Sequence, residues 1–443
     1  MQTISDTSLS ASILETFASL EPREEWSFRT VGRAQTNSYS HGYHRYPAKF
    51  IPQIVRKLVE TNTSEGDLVC DIFGGCGTTL VESKIMGRRS VGFDINPVAK
   101  LITQVKVTPI EPALLRKYRG EYVANTETPI SGAFDHHPRL KYWFDADTLP
   151  VLDQIYSAIN KIRDYRVRRF FLCAFSHNLK TSSRWLMKSI KPTIDKSKAR
   201  VDPKTTFLRQ LDFMIRKNES FHEVLLASAD LNTKARMYRR DSTKKLPIPS
   251  DSIDLIVSSP PYVTSYEYAD LHQLSLLWFA EDQNYFERWH GFTRDYETFK
   301  KTFVGTGLKK SHRGHFGSLI GTKVVSQLRA VDSSVATDVS NYFVDMHRAF
   351  VEIHRILRPG AKACIIIGNT CLSGVNIPNA EVTAEEMSLL GFTRVDYIKR
   401  EVPNKKITPW RDSKSGKFTS LSNPDKKRAY DCEYIVIMEK EKA

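Results

Sequence analysis

The sequence predicts an α/β protein with a mostly parallel sheet. Three observations carry that expectation. Short apolar runs of strand character, Asp67–Phe73, Ser90–Asp94, Ala235–Arg239 and Asp254–Ser258, alternate with segments of helical periodicity. The first run enters a glycine turn, Gly74-Gly-Cys-Gly-Thr-Thr79, which opens a helix; strand, glycine turn and helix together are a nucleotide-binding arrangement. The last two runs, Gly391–Arg400 and Asp431–Glu439, have no helix between them and should pair antiparallel.

Composition narrows the functional classes. The chain has 443 residues and is 41% apolar, enough for one large domain with insertions or for several smaller ones. A net charge of +15 favours a polyanionic partner, most often nucleic acid. The cysteines at 70, 76, 173, 364, 371 and 432 include no CxxC pair. That spacing argues against a zinc site or a disulfide framework, so no metal is expected and a reducing cytoplasm is. Residues Met1–Glu24 have neither a basic leader nor a long apolar core, and no run reaches the roughly 18–20 apolar residues of a membrane span.

Taken in order, residues 1–40 read as a polar lead-in with a short helix near Leu9–Leu20. The segment His41-Gly-Tyr-His-Arg-Tyr-Pro-Ala-Lys-Phe50 precedes an amphipathic helix from Pro52 to about Thr61. Its position just ahead of the glycine turn suggests a role beside a cofactor. After the turn a helix is expected over Leu80–Met86, closed by Gly87, and the second strand ends in Asp94. An acid at the tip of strand two is the usual partner of ribose hydroxyls. The dinucleotide spacing G-x-G-x-x-G is absent, which weakens a nicotinamide or flavin assignment.

From about Pro109 to Leu231 the pattern is interrupted, with helices expected over Leu149–Ile162, Val167–Leu179 and Lys204–Leu226. Within Lys180–Lys217 there are eleven Lys or Arg against three acids. This is either a solvated helical face or a phosphate-contacting insertion with Trp185 available to bases. The strands then resume, with Asp241 and Ser242 following the third. The Asp254–Ser258 run ends abruptly in Ser259-Pro260-Pro261-Tyr262, because proline cannot donate to a sheet ladder and restricts the residue before it. A stiff loop results at the carboxyl end of a strand, offering a hydroxyl acceptor, a fixed carbonyl and an aromatic face that suit a planar base with an exocyclic amino group. A proline-rich turn over a buried Tyr is the plainer alternative. Further on, Tyr266–Phe279 reads as one helix and Glu281–Ser334 as a long polar loop or small lobe carrying Lys300, Lys301, Lys309, Lys310, His312, Arg313, His315 and Lys323. A loop that long inside a domain tends to be functional. Val339–Leu357 reads as an amphipathic helix ended by Arg358-Pro-Gly360, Ala361–Gly368 as a strand and Asn404–Arg428 as a basic loop. The chain thus divides into 1–108, a cofactor half with its lead-in; 109–231, a basic helical insertion and candidate DNA-reading region; and 232–443, a catalytic half with a second candidate DNA-contacting insertion at 281–334.

With these residues in view, the chain resembles the S-adenosylmethionine-dependent DNA amino-methyltransferases of restriction–modification systems, most closely the cytosine-N4 branch. The resemblance covers about residues 40–105 and 235–440. The family's Phe-x-Gly-x-Gly appears as Phe73-Gly-Gly75-Cys-Gly77 followed by Thr78 and Thr79, and its (Ser/Asp/Asn)-Pro-Pro-(Tyr/Phe/Trp) as Ser259–Tyr262. The resemblance implies that Asp71 lies near the cofactor's amino group, Asp94 at the ribose and Asp241 near the adenine amino group, with Ile95 and Ser242, which follow the last two acids, also counted among the cofactor-binding residues. It implies that Tyr46, Pro47, Lys49 and Phe50 belong to the upstream cofactor motif. It also implies a Rossmann-like class I methyltransferase fold, a seven-stranded mostly parallel sheet with an antiparallel last strand plus a helical insertion. The long insertion between strands two and three departs from the core pattern and could be the target-reading region. The implied partners are double-stranded DNA and a separate cognate restriction endonuclease.

The implied chemistry needs no covalent intermediate. Ser259 Oγ and the Pro260 carbonyl would accept the amino hydrogens, Pro261 would stiffen the loop, and Tyr262 would stack on a flipped base. A cytosine-C5 enzyme would need a Cys after Pro, and no Pro-Cys pair occurs. Adenine-N6 methylation, an RNA or protein amino-methyltransferase, and a catalytically inactive DNA-binding relative are the competing expectations.

Overall fold

The computed structural model describes residues 4–47, 49–124, 136–189, 191–228, 230–263, 268–281, 296–308, 314–402, 410–412, 419–428 and 432–442. Its strands in chain order are β1 (Leu68–Asp71), β2 (Arg89–Asp94), β3 (Ala235–Arg239), β4 (Ile253–Ser258), β5 (Leu357–Ile367), β6 (Thr370–Leu372), β7 (Val375–Ile377), β8 (Phe392–Glu401), β9 (Trp410–Asp412), β10 (Lys426–Arg428) and β11 (Cys432–Lys440). A seven-stranded sheet runs β3-β2-β1-β4-β5-β11-β8. The strands β1 to β5 are parallel, and β11 lies antiparallel between β5 and β8. The expected fold class holds. Because β1 is flanked by β2 on one side and β4 on the other, the strand order reverses there. The crevice that open α/β sheets use for ligands falls at the carboxyl ends of β1 and β4.

The strands alternate faces and are covered on both. Val69, Leu255, Val257, Cys364 and Ile366 pack under Ile54, Val55, Leu58 and Val59 of the helix Pro52–Asn62. Their neighbours Cys70, Ile256, Ile365 and Ile367 face Val339, Phe343, Phe350 and Ile353 of the helix Ser333–Ile356. Burial on both faces is why β1 and β4 read as short, continuous apolar runs.

The insertion contains helices Pro112–Ala124, Pro138–Trp143, Thr148–Asn160, Tyr165–Ser182 and Pro203–Ser228, the last three close to expectation. Its core is continuous with Leu101, Ile102 and Val105 of the helix Pro97–Val107 and with Leu274, Leu277 and Trp278 of the helix Gln273–Glu281. No helix of the described residues is long and apolar enough to cross a membrane.

Several expectations change. Within 281–334, expected to be irregular, the described residues hold the short helix Tyr296–Lys300 and the helix Leu319–Val331; the latter buries Ile320, Val324, Val325 and Leu328 and is capped by Ser318 Oγ, which accepts from Gly321 N at 2.8 Å. The next helix begins at Ser333 rather than Val339, because Asp332 accepts from Ser334 N and Val335 N at 3.1 Å each. The single helix expected over Tyr266–Phe279 is broken into Tyr268–Leu271 and Gln273–Glu281, while Tyr266 lies outside the described residues. Lys309, Lys310, His312 and Arg313 lie outside them too. The described ends of the basic loop 404–428 pair as the antiparallel strands β9 and β10.

Candidate active site

The glycine turn is held from several sides. Gly74 N donates to Phe93 O at 2.8 Å, and Gly77 N donates to Gly74 O at 2.7 Å. Gly75 and Gly77 adopt positive φ, 46° and 78°, where a side chain is strained. At Gly77 a Cβ would lie 2.4 Å from Thr103 Cγ2, and at Gly75 it would lie 3.3 Å from the Tyr46 hydroxyl. Thr103 Oγ1 donates to Gly75 O at 2.9 Å, and the buried Lys106 Nζ donates to Cys76 O at 3.0 Å. The helix Pro97–Val107 therefore fixes the turn's carbonyls, while the Tyr46 ring covers Gly75.

The acids surround this turn. Asp94 Oδ2 accepts from Gly75 N at 3.0 Å and Oδ1 from Asn96 N at 2.7 Å. Burial is the main cause that pushes its carboxyl up to about 6. Asp71 is fully buried at the end of β1, and its Oδ1 accepts from Ser258 Oγ at 2.6 Å and from Phe73 N at 3.1 Å. Burial likewise pushes Asp71 up to about 6, against the lowering effect of those hydrogen bonds. Asp71 Oδ2 has no partner among the described residues. Asp241 closes its own turn, with Oδ1 accepting from Thr243 N at 3.0 Å and from Thr243 Oγ1 at 2.7 Å.

Three of the expected cofactor residues spend their polar groups on the scaffold. Thr79 Oγ1 donates to Val257 O at 3.1 Å, tying the helix Thr78–Ile85 to β4. Ser242 Oγ donates to Ile72 O. Lys49 Nζ donates to Asn37 Oδ1 at 2.9 Å and to His41 O at 3.3 Å, and burial pulls its pKa down to about 8. Phe50 packs on the cluster beneath β4, Phe73 on the one around the helix Ser333–Ile356, and Ile95 against the insertion core. Pro47 is half-buried and Thr78 buried beside Cys76.

The Ser259–Tyr262 loop follows β4 directly. The Ser259 hydroxyl is half-buried and has no hydrogen-bond partner among the described residues, while Pro260 is buried and Pro261 half-buried. Tyr262 is half-buried; its hydroxyl donates to Glu433 Oε1 at 3.2 Å and its ring lies against Gly368, where a Cβ would sit 3.4 Å away. The loop thus spans from the end of β4 to β11.

Trp185 is a correction. It is 1% exposed, stacks on Trp143 with centroids 5.1 Å apart, and donates Nε1 to Lys191 O at 3.1 Å. It is a core ring and not a surface for bases. Part of the basic stretch is also structural: Lys198 Nζ donates to the carbonyls of Lys180, Ser183 and Trp185, and Lys180 Nζ donates to Ser189 O. Lys188, Lys191 and Lys196 remain exposed.

Sequence reasoning missed Ser258, Thr103, Lys106, Asn96 and His272. Only Ser258 carried a signal: a polar residue ending an apolar strand beside Asp71 in a parallel pair needs a partner.

Residues 13–104 match the DNA methylase family. The type II methyltransferase M.MvaI of Kocuria varians is 25% identical to this chain over 412 residues, covering 87% of this chain and 89% of that one. The type II methyltransferase M.BsoBI of Geobacillus stearothermophilus is 23% identical over 424 residues, covering 84% and 82%. A solved S-adenosylmethionine-dependent methyltransferase from Methanosarcina mazei gives a TM-score of 0.30 at 9% identity, over 90% of this chain and 100% of that one. The seven-stranded sheet, parallel over β1 to β5 with β11 antiparallel, and the glycine turn after β1 are the features that the resemblance implied. The sequence likeness is to a DNA methylase family over the first quarter of the chain and to type II methyltransferases over most of it. The site fits the cofactor: the bare glycine backbone at Gly75 and Gly77 and the carboxyls of Asp94 and Asp71 gather at one crevice.

Proposed function

We propose that this protein methylates the exocyclic amino group of cytosine, N4, in duplex DNA after flipping the base, as the modification enzyme of a restriction–modification system. The observation that carries the proposal is the Ser258–Asp71 hydrogen bond of 2.6 Å, which sets the Ser259–Tyr262 loop beside the glycine turn. Bound S-adenosylmethionine would supply an electrophilic methyl group. Asp94 and Asp71, with the turn, would hold its adenosine and amino-acid ends. Ser259 Oγ, free of other partners among the described residues, and the Pro260 carbonyl would accept the two amino hydrogens. That turns the nitrogen lone pair, otherwise delocalised into the ring, toward the methyl group. The Tyr262 ring would stack on the extruded base. With the amino group so held, its nitrogen would bond to the methyl carbon as the carbon–sulfur bond breaks, and one of the two amino protons would pass to solvent. Exposed cations such as Lys188, Lys191 and Lys196 would meet phosphates. A separate cognate endonuclease would be the partner of such a modification enzyme.

The test is single-turnover transfer of a labelled methyl group to duplex DNA, with the product nucleoside identified by mass spectrometry. N4-methylcytosine is expected. N6-methyladenine as the sole product overturns the cytosine assignment, and transfer to RNA alone overturns the DNA assignment.

A further inference from the structure

Three histidines beside Tyr46 have no part in the chemistry above. His44, His177 and His272 meet where the cofactor-motif segment, the helix Tyr165–Ser182 and the turn between Leu271 and Gln273 converge. The His44 ring centroid is 5.5 Å from that of His177 and 6.0 Å from that of His272. His44 is 8% exposed and His272 is 5% exposed.

Neighbouring groups fix the tautomers. His44 Nδ1 donates to Arg45 O at 2.8 Å, so its Nε2 accepts from Ser176 Oγ at 3.1 Å. Asn96 Oδ1 accepts from Val98 N at 2.9 Å, which orients the amide so that Nδ2 donates to His272 Nδ1 at 3.2 Å. The proton of His272 therefore sits on Nε2. That buried N–H has no partner among the described residues, and neither has His177 Nδ1. Such a donor is rare in a folded protein and calls for an acceptor.

His272 reaches the glycine turn through two neighbours. The Tyr46 ring lies 5.0 Å from it and stands over Gly75. Asn96 is the residue whose N–H holds Asp94 at 2.7 Å. The charged groups acting on the histidines are cations: Lys180 on His272, Arg45 on His177. Burial, aided by those cations, pulls His272 down to about 4 and His177 to about 3, so both are neutral in ordinary buffers. A neutral, desolvated N–H in a positive local field favours an anionic acceptor over a neutral one. The one anionic group of S-adenosylmethionine is the carboxylate of its amino-acid end.

We propose that His272 Nε2–H, held by Asn96 and braced by Tyr46, donates to that carboxylate and is a further cofactor-positioning residue. The proposal rests on the cofactor assignment and not on the DNA substrate. It separates recognition of the two ends of the cofactor: adenosine at Asp94 and Asp241, the amino acid at Asp71 through its amino group and at His272 through its carboxylate.

The test is calorimetry on the full chain with two ligands. S-adenosylhomocysteine carries the carboxylate; 5′-methylthioadenosine keeps the adenosine and the sulfur but lacks it. His272→Leu should weaken S-adenosylhomocysteine about ten- to a hundredfold and leave 5′-methylthioadenosine within about twofold. His272→Gln, which keeps an amide donor, should recover most of the loss. Unchanged S-adenosylhomocysteine affinity in His272→Leu overturns the proposal; if methyl transfer alone slows, the donor serves the target base instead. Equal weakening of both ligands in both variants also overturns it, because His272 would then act only through packing. Wild-type protein that binds neither ligand removes the cofactor assignment, and the proposal with it.

Discussion

The hydroxyl of Ser258 donates to Asp71 Oδ1 at 2.6 Å and also accepts from Phe73 N at 3.3 Å. One side chain at the end of β4 thereby fixes the backbone that enters the glycine turn after β1. The two halves of the site are registered to each other by a buried bond between neighbouring parallel strands.

That bond separates two adjacent serines. Ser258→Ala removes a donor from a fully buried carboxylate and should cost roughly 1–3 kcal/mol of stability. Ser259→Ala should leave stability and S-adenosylhomocysteine affinity nearly unchanged while sharply slowing methyl transfer, because its hydroxyl has no scaffold partner among the described residues. Urea denaturation and single-turnover kinetics on both variants make the comparison. A Ser259→Ala enzyme with wild-type rate removes the acceptor role.

Asp71 gives a pH dependence of definite sign. Its folded carboxyl titrates near 6 and the ordinary value is 3.8, so the native state binds the proton more tightly than the unfolded chain does. Stability is therefore lost as pH rises through about 4 to 6, up to roughly 3 kcal/mol. Asp71→Asn should be more stable than wild type at pH 8, and the advantage should vanish near pH 4. Denaturant midpoints at the two pH values check this, and an unchanging difference contradicts it. Weaker cofactor binding in the same variant is expected if Asp71 meets the cofactor's amino group.

The observed hydrogen bond of Tyr262 and its proposed stacking role have different signatures. Tyr262→Phe keeps the ring and should transfer methyl groups at close to the wild-type rate, at a stability cost of about 1 kcal/mol for the lost bond to Glu433. Tyr262→Ala also loses base stacking, of order 1–3 kcal/mol, and should suffer less on a mismatched target that flips easily. Equal defects on matched and mismatched duplexes would remove the stacking role.

The lysines of the insertion divide by role. Replacing Lys188, Lys191 and Lys196 with Ala should reduce the salt dependence of DNA binding by roughly one per lost phosphate contact, with stability intact. Lys198→Met should leave three carbonyls without their shared donor and lower the melting temperature. An unchanged salt slope in the triple variant makes that face merely solvated.

Much of the scaffold was legible in the chain. The runs at 68–71 and 253–258 announced strands because both faces of those strands are buried and demand apolar residues nearly throughout, whereas the run at 235–239 is an edge strand with Met237 buried and two arginines. The glycines were legible because positive φ and the 2.4 Å approach of Thr103 exclude side chains at Gly75 and Gly77. The helix Leu319–Val331 was not, because its apolar stripe lies inside a segment otherwise rich in cations. Trp185 misled because an aromatic amid lysines looks the same in sequence whether it faces solvent or, as here, stacks on Trp143.

Local sequence determined the parallel sheet, the glycine turn at its crevice and the proline-stiffened loop after β4, since each depends on backbone preferences of neighbouring residues. Tertiary structure alone decided which polar groups remain available for chemistry. Thr79, Ser242, Lys49 and Lys198 turned out to be bound to the scaffold, whereas Ser259 Oγ and His272 Nε2 were left without a protein partner among the described residues. A hydrogen bond to a residue 178 positions away in the chain, as Thr79 makes to Val257, leaves no trace in local pattern because strand pairing sets it only after the chain has folded.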